Sequence, residues 1–250
     1  MNMEIKNTAG SAEIPAKEPM RRLFNRIAGK YDLLNHVLSF GADKRWRRIL
    51  IRRLRAMLEG TGEEKYHILD LATGTGDVAM AVRKKIAETE ITGADLSEEM
   101  MRVAAEKVKR GKLDGITFVQ ADAARLPFDN EQFDAVTVSF GIRNFRELET
   151  SFREILRVLK PGGALLVLEF AWPRNMIMSW LYRMYSRIVI PGAGQLLARD
   201  REAYKYLTGS IKSFPKGKEI TDKMKNCGFQ SSSFRPLGVG IVNMYEALKN

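Results

Sequence analysis

At 250 residues and 28.3 kDa, with 45% apolar and 28% charged residues, the protein is large enough to bury a substantial core and is not disordered throughout. It has no run of eighteen apolar residues, a charge-broken first twenty, and one cysteine, Cys227, beside only His36 and His67, so no spanning helix, secretory signal, intrachain disulfide or structural zinc site is expected. The net charge of +11 is localised: residues 1–60 hold thirteen Lys and Arg against six Asp and Glu, residues 174–205 hold six against two, and the remainder balances.

Residues 1–20 mix Gly, Pro, Ala, Lys and Glu without periodicity and predict a flexible tail ahead of a single domain over 21–250. From Arg21 to Leu58 the pattern is helical in pieces. Leu23, Ile27, Tyr31 and Leu34 share one face, and Trp46, Ile49, Leu50, Leu54 and Leu58 share another, with a Ser39-Phe40-Gly41 turn between them. Glu59-Gly60-Thr61-Gly62 stops this unit, so residues 21–60 predict a helical lid.

From 66 to 170 strands alternate with helices. Strands are predicted at His67–Ala72, Ile91–Leu96, Ile116–Ala121, Phe133–Phe140 and Ala164–Phe170, after a Pro161-Gly162-Gly163 turn. Helices are predicted at Asp77–Ile86, after Ser97 as a cap, and at Glu147–Leu159. Such alternation predicts a parallel sheet covered on both faces. It breaks over residues 171–215, which read as an insertion rich in Trp, Tyr and Met. A helix at Lys216–Asn226 then precedes strands Ser232–Leu237 and Gly240–Leu248, which so short a loop makes antiparallel.

The strongest local signal is Asp70-Leu71-Ala72-Thr73-Gly74-Thr75-Gly76-Asp77, where the first strand turns into a helix. Small residues there let backbone N–H groups approach a ligand, with the helix N-terminus behind them. Asp95 and Leu96 end the second strand about twenty residues on, where a carboxylate can accept two ribose hydroxyls. Asp122-Ala123 ends the third strand, where it suits an adenine. Gly74-x-Gly76-x-x-Ala79 also satisfies a relaxed dinucleotide fingerprint, so NAD competes. Three features weigh against it: Asp70 at a strand end that a dinucleotide fold keeps apolar, Asp122, and the antiparallel terminal pair. Together they point to S-adenosylmethionine and a class I methyltransferase: an α/β, Rossmann-like, seven-stranded, mostly parallel sheet with a reversed last strand.

The segments resemble the ubiquinone/menaquinone biosynthesis C-methyltransferase family from about Phe24 onward. The resemblance rests on Tyr31-Asp32-Leu-Leu-Asn35, Asp70 to Asp77, Leu126-Pro127-Phe128, Ser139-Phe140-Gly141-Ile142-Arg143-Asn144, Leu159-Lys160-Pro161-Gly162-Gly163, Glu169-Phe170 and Phe214-Pro215. It implies that Thr75, Asp95, Asp122, Ala123 and Ser139 contact the cofactor, with Gly74, Gly76 and Leu96 beside them. Asp70 is expected either to orient the methionine ammonium or to stabilise the turn. The implied reaction moves a methyl group from sulfur to a ring carbon of demethylmenaquinol, or of a ubiquinol precursor, without a metal. Arg143 and Asn144 are expected to stabilise a developing quinol anion, with Tyr31 and Asp32 reaching in from the lid.

A long isoprenoid tail confines such a substrate to a bilayer. Met176, Ile177, Trp180, Leu181, Met184, Tyr185 and Ile188 form an apolar stripe at helical spacing, with Arg174, Arg183, Arg187 and Arg199 around it. That stripe fits either core packing or a basic amphipathic lid. The expected setting is cytoplasmic, peripheral on the inner face of the cell membrane, with an anionic lipid surface as a transient partner. No nucleic-acid motif accompanies the basic excess, so no nucleic-acid partner is expected. Methylation of another small aromatic or lipid acceptor, and a non-catalytic nucleotide- or RNA-binding protein of the same fold, are the rival readings. The oligomeric state is left open, a homo-oligomer included.

Overall fold

In the computed structural model, residues 6–7, 18–39, 41–59, 64–171, 209–211 and 213–250 are described. Five strands come from the predicted alternation: β2 (Tyr66–Leu71), β3 (Thr89–Asp95), β4 (Ile116–Gln120), β5 (Phe133–Ser139) and β6 (Leu159–Phe170). The terminal pair is β7 (Ser231–Leu237) and β8 (Val242–Leu248). A two-residue strand, β1 (Lys6–Asn7), pairs with Val119 and Gln120 and adds an eighth. It falls in the segment expected to be a flexible tail. The outer edge of β4 offers unpaired backbone groups, and β1 takes them.

The strand order is β1-β4-β3-β2-β5-β6-β8-β7. All neighbours from β1 to β6 are parallel, while β8 is antiparallel to both β6 and β7. The last strand is therefore the reversed one, inserted between its predecessors. Pro236 lies in β7, at the sheet edge, where a missing N–H is tolerated. Strand β6 starts earlier than its apolar run suggested. Leu159 pairs with Phe133 before a break in register, and Lys160 binds Asp134 at 2.7 Å across that break.

The sheet is buried on both faces because its strands alternate between two cores. In β2, Tyr66 and Ile68 join one cluster while Leu69 and Leu71 join the other; in β6, Leu166 and Leu168 oppose Leu165 and Val167. Helices α3 (Ala42–Leu58), α4 (Asp77–Lys85) and α5 (Glu98–Arg110) cover the first face through Leu50, Leu54, Val82 and Met101. Helices α6 (Leu148–Val158) and α7 (Lys218–Asn226) cover the second through Phe152, Ile155, Ile220 and Met224. Each fully buried side chain of this size stabilises the fold by about 1.5–3 kcal/mol. Ser97 caps α5 as its sequence position predicts, accepting from the Met100 N–H, and its hydroxyl donates to Asn25 at 2.6 Å. Asn25 belongs to α1 (Glu18–Ile27), which a short 3-10 turn joins to α2 (Tyr31–Leu38). The lid helices thus dock on the helix that follows β3. The insertion expected over 171–215, with its apolar stripe and arginines, lies almost wholly outside the described residues.

Candidate active site

The backbone leaves β2 toward β3 on one side, and β5 pairs on the other. Their loops part there and leave a crevice at the carboxyl ends of the strands. The cleft in this place is lined by Leu71, Ala72 and Gly74 at the end of β2, by Asp95 to Ser97 at the end of β3, by Ala121 to Ala123 after β4, and by Ser139 to Gly141 at the end of β5. Arg21, Phe24 and Tyr31 close it from the lid, and Met100, Asn144, Phe145 and Arg146 complete it.

Asp95 ties two of these loops together. One carboxylate oxygen accepts from the Gly74 N–H at 2.9 Å and the other from the Ser97 N–H at 2.8 Å. Each oxygen keeps acceptor capacity for a ligand hydroxyl. Burial raises the pKa of Asp95, and these backbone donors oppose the rise. Asp122 is oriented by an Asx turn, accepting from the Ala124 N–H at 3.0 Å. The Ser139 hydroxyl is buried at the cleft wall with no hydrogen-bond partner among the described residues. A buried hydroxyl of that kind favours a polar ligand beside it. The nucleoside portion of S-adenosylmethionine fits this donor and acceptor set.

Of the residues expected at the site, Tyr31, Gly74, Asp95, Leu96, Asp122, Ala123, Ser139 and Asn144 line the cleft; Asp32, Asp70, Thr75, Gly76 and Arg143 do not. Asp70 is buried beneath the loop, accepting from Thr73 at 2.6 Å and from Thr137 at 2.8 Å. Burial pushes its pKa up to about 6, against the pull of those hydroxyls. Gly76 has φ +76°, and a Cβ there would stand 2.9 Å from that of Ala104. This glycine serves the packing of the loop on α5. Gly141 serves a similar close approach, since its Cβ would lie 2.6 Å from that of Ala72.

Thr75 donates to Asp32, and Asp32 also accepts from Lys107 at 2.7 Å. Lys107 contacts Asp77, which pairs with Arg47 at 2.6 Å, and Arg47 pairs with Asp43. Asp43 also binds Ser39 at 2.8 Å and His36 at 3.1 Å. This series of charges joins α2, α3, α4 and α5 behind the glycine loop. Asp32 is thereby committed to holding the lid down.

Arg143 lies one layer below the cleft. Its guanidinium pairs with Glu169 at 2.7 Å, with side-chain exposures of 4% and 1%, and also donates to the Phe140 carbonyl. Glu169 further accepts the Arg143 N–H at 3.1 Å, and the guanidinium sits 5.5 Å from the Phe170 ring centroid. Glu169 was legible only as part of a motif; its pairing with Arg143 needs β5 and β6 to be neighbours. Phe24, which meets Tyr31 edge-on at 6.1 Å, Arg21 and Met100 carried no ligand signal in the sequence.

A sheet that ends in a reversed strand, with carboxylates at two successive strand ends, is that of a class I methyltransferase and not of a dinucleotide-binding half. Solved structures agree on the fold. A SAM-dependent methyltransferase from Thermotoga maritima superposes with TM-score 0.60 at 18% identity, over 92% of this chain and 99% of that one. Phosphoethanolamine N-methyltransferase 2 of Haemonchus contortus, in complex with phosphomonomethylethanolamine and S-adenosylhomocysteine, gives 0.57 at 19% identity over 79% of this chain. The match spans about half, 52%, of that longer protein. The chain belongs to the ubiE/COQ5 methyltransferase family, whose model matches residues 13–249. It is 41% identical to the demethylmenaquinone methyltransferase of Porphyromonas gingivalis over the full length of both proteins. It is 44% identical to the ubiquinone/menaquinone biosynthesis C-methyltransferase UbiE of Syntrophotalea carbinolica, over 92% of this chain and 94% of that one.

Two predictions come from the buried charges. Asp70 has a raised pKa, so the folded state holds its proton up to about pH 6, whereas the unfolded chain releases it near 3.8. Its contribution to stability is thus lost as pH rises between those values, and Asp70→Asn should flatten that part of the stability profile in urea titrations from pH 4 to 7. An unchanged slope would mean that Asp70 is ionised throughout. Glu169→Gln strands a buried guanidinium and should cost about 3–5 kcal/mol in the same assay, much of it regained by Arg143→Met with Glu169→Leu. An unmoved midpoint in Glu169→Gln would show that the pair is solvated.

Proposed function

We propose that the protein transfers the S-adenosylmethionine methyl group to a ring carbon of demethylmenaquinol in respiratory quinone biosynthesis. The observation that carries this reading is one cleft holding both the nucleoside-type carboxylates, Asp95 and Asp122, and the lid and loop groups Tyr31 and Asn144. The full-length likeness to demethylmenaquinone methyltransferases supports the same acceptor. The name of the Syntrophotalea relative covers both quinones, which makes a ubiquinol precursor the second acceptor to test.

When bound, S-adenosylmethionine supplies an electrophilic methyl group on a sulfonium. A quinol ring carbon, enriched by its hydroxyl oxygens, would form the new C–C bond as the methyl C–S bond breaks, the sulfur keeping the electron pair as a thioether, and the ring proton would pass to water to restore aromaticity. Asp95 and Asp122 hold the ribose and adenine ends so that the reacting atoms are aligned. Burial raises the Tyr31 pKa, which the nearby Arg143 guanidinium partly offsets. The phenol therefore stays protonated at neutral pH and donates a hydrogen bond to a quinol oxygen as negative charge develops there. The Asn144 amide offers a second donor. Arg143 acts from beneath: paired with Glu169, it fixes the Gly141–Asn144 loop and adds its field at Tyr31. Phe24 and the rest of the lid keep water from the reacting carbon.

The acceptor's tail puts the reaction at a bilayer. No helix among the described residues is long and apolar enough to cross a membrane. In this reading the enzyme visits the inner face of the membrane, drawn by the basic excess of its lid and insertion.

Purified protein with methyl-labelled S-adenosylmethionine and a short-tailed demethylmenaquinol, kept reduced, should yield a labelled product one CH2 heavier. Label on oxygen instead of carbon, or none on any quinol, would overturn the assignment. Asp95→Ala should weaken S-adenosylmethionine binding by about 1.5–3 kcal/mol in calorimetry, the range for losing a charged hydrogen-bond acceptor. Arg143→Ala should lower kcat far more than it changes that affinity. Equal losses in the two would put Arg143 on the cofactor side.

A further inference from the structure

Helix α3 carries six arginines, and the structure treats them in two ways. Arg47 pairs with Asp43 and Asp77, Arg53 with Glu246, and Arg55 with Glu59. Arg45, Arg48 and Arg52 enter no salt bridge among the described residues, yet they are exposed and line one groove with Ile49. Their spacing of three and four residues puts all three on a single face of the helix. Arg48 is also tethered, its Nε–H donating to the Lys44 carbonyl at 3.2 Å. Three guanidiniums on one face, none neutralised by a described carboxylate, repel one another, and that repulsion is relieved by an anion.

The position of the groove suggests which anion. The inward face of the same helical turn is Trp46, whose ring meets those of Phe140 and Phe170 at 6.2 and 6.4 Å. Phe140 lines the active-site cleft. Arg45 and Arg48 are therefore less than one helical turn from the residue that braces the cleft wall. At the other end of α3, the Leu58 carbonyl accepts from Tyr66 at the start of β2, far from the cleft. Phosphate oxygens match guanidinium geometry, with two N–H donors for each phosphate, and Ile49 supplies an apolar contact between the arms.

We propose that the Arg45–Arg48–Arg52 face of α3 is a docking site for the phosphate headgroups of anionic phospholipid, and that it sets the cleft mouth against the bilayer holding the quinol. This rests on the reading above that the substrate is met at an anionic membrane. It goes further by naming the contact surface, which net charge alone does not do. The binding is electrostatic and reversible, and salt weakens it.

The test uses the full-length protein and vesicles of phosphatidylglycerol with phosphatidylcholine, in sedimentation at low and high salt. Replacing Arg45, Arg48 and Arg52 together by Gln should lower partitioning about a hundredfold, from about fivefold for each basic residue at the surface. The charge-matched control replaces Lys109, Arg110 and Lys112, exposed at the end of α5, by Gln and should change partitioning severalfold at most. The α3 variant should keep its turnover of a short-tailed quinol in solution and lose turnover of a long-tailed quinol in vesicles. Equal losses in the two triple variants would reduce the effect to net charge and overturn the site. If the α3 variant binds like the parent while Arg183→Gln with Arg187→Gln does not, the membrane reading stands and the α3 site falls. If the parent protein ignores anionic vesicles, both fall together.

Discussion

Everything at the site depends on the parting of the backbone at β2. With β3 paired on one edge and β5 on the other, the loops after these strands diverge, and the backbone groups at their ends face a crevice. This cavity is not the work of any side group; it follows from the order in which parallel strands are laid down. Side chains then determine what the cavity accepts. Asp95 is the first of them, because it holds the Gly74 and Ser97 backbones on opposite sides of the opening while presenting acidic oxygens to it.

The polar residues around the cleft divide by role according to depth. Those that face the cavity, such as Asp95, Asp122, Ser139 and Tyr31, keep acceptor or donor capacity for a ligand. Those one layer behind use theirs on the protein. Asp70 serves Thr73 and Thr137, Asp32 serves Thr75 and Lys107, and Arg143 serves Glu169. Buried charges are tolerated there because each has a partner, and a half-paired network would be worse than an apolar one. The second layer gives the first its fixed geometry, which matters when catalysis rests on alignment and on donors placed before charge develops.

The lid shows how a short helical segment is made part of such a site. Helices α1 and α2 are ten and eight residues long, too short to be stable alone. They are held by polar ties: Asn25 to the Ser97 cap, and Asp32 to Lys107 and Thr75. These ties are partly exposed and individually weak, so they hold the two helices against the core without locking them there.

The alternation of apolar periods, Ser97 as a cap and the glycine loop after the first strand were legible in the sequence, because each is a local property of neighbouring residues. The reversed last strand was legible too, since so short a connection allows nothing else. The acidic strand ends were legible too, Asp95 through its spacing from the glycines and Asp122 through its place at the end of the third strand of the alternation. Other features were out of reach. The partner of Arg143 lies 26 residues away, Lys107 meets Asp32 across 75, and β1 at Lys6 finds the edge of β4 at Val119. Which carboxylates face the cleft and which turn inward is likewise not a matter of type or spacing, for Asp70 and Asp95 stand at or next to the ends of neighbouring strands, beside the same loop. Local sequence thus determined the elements and the chemical class, because helices, strands and turns answer to near neighbours. Only the tertiary structure decided which charges meet, because pairing between distant residues exists only once the sheet has brought its strands side by side.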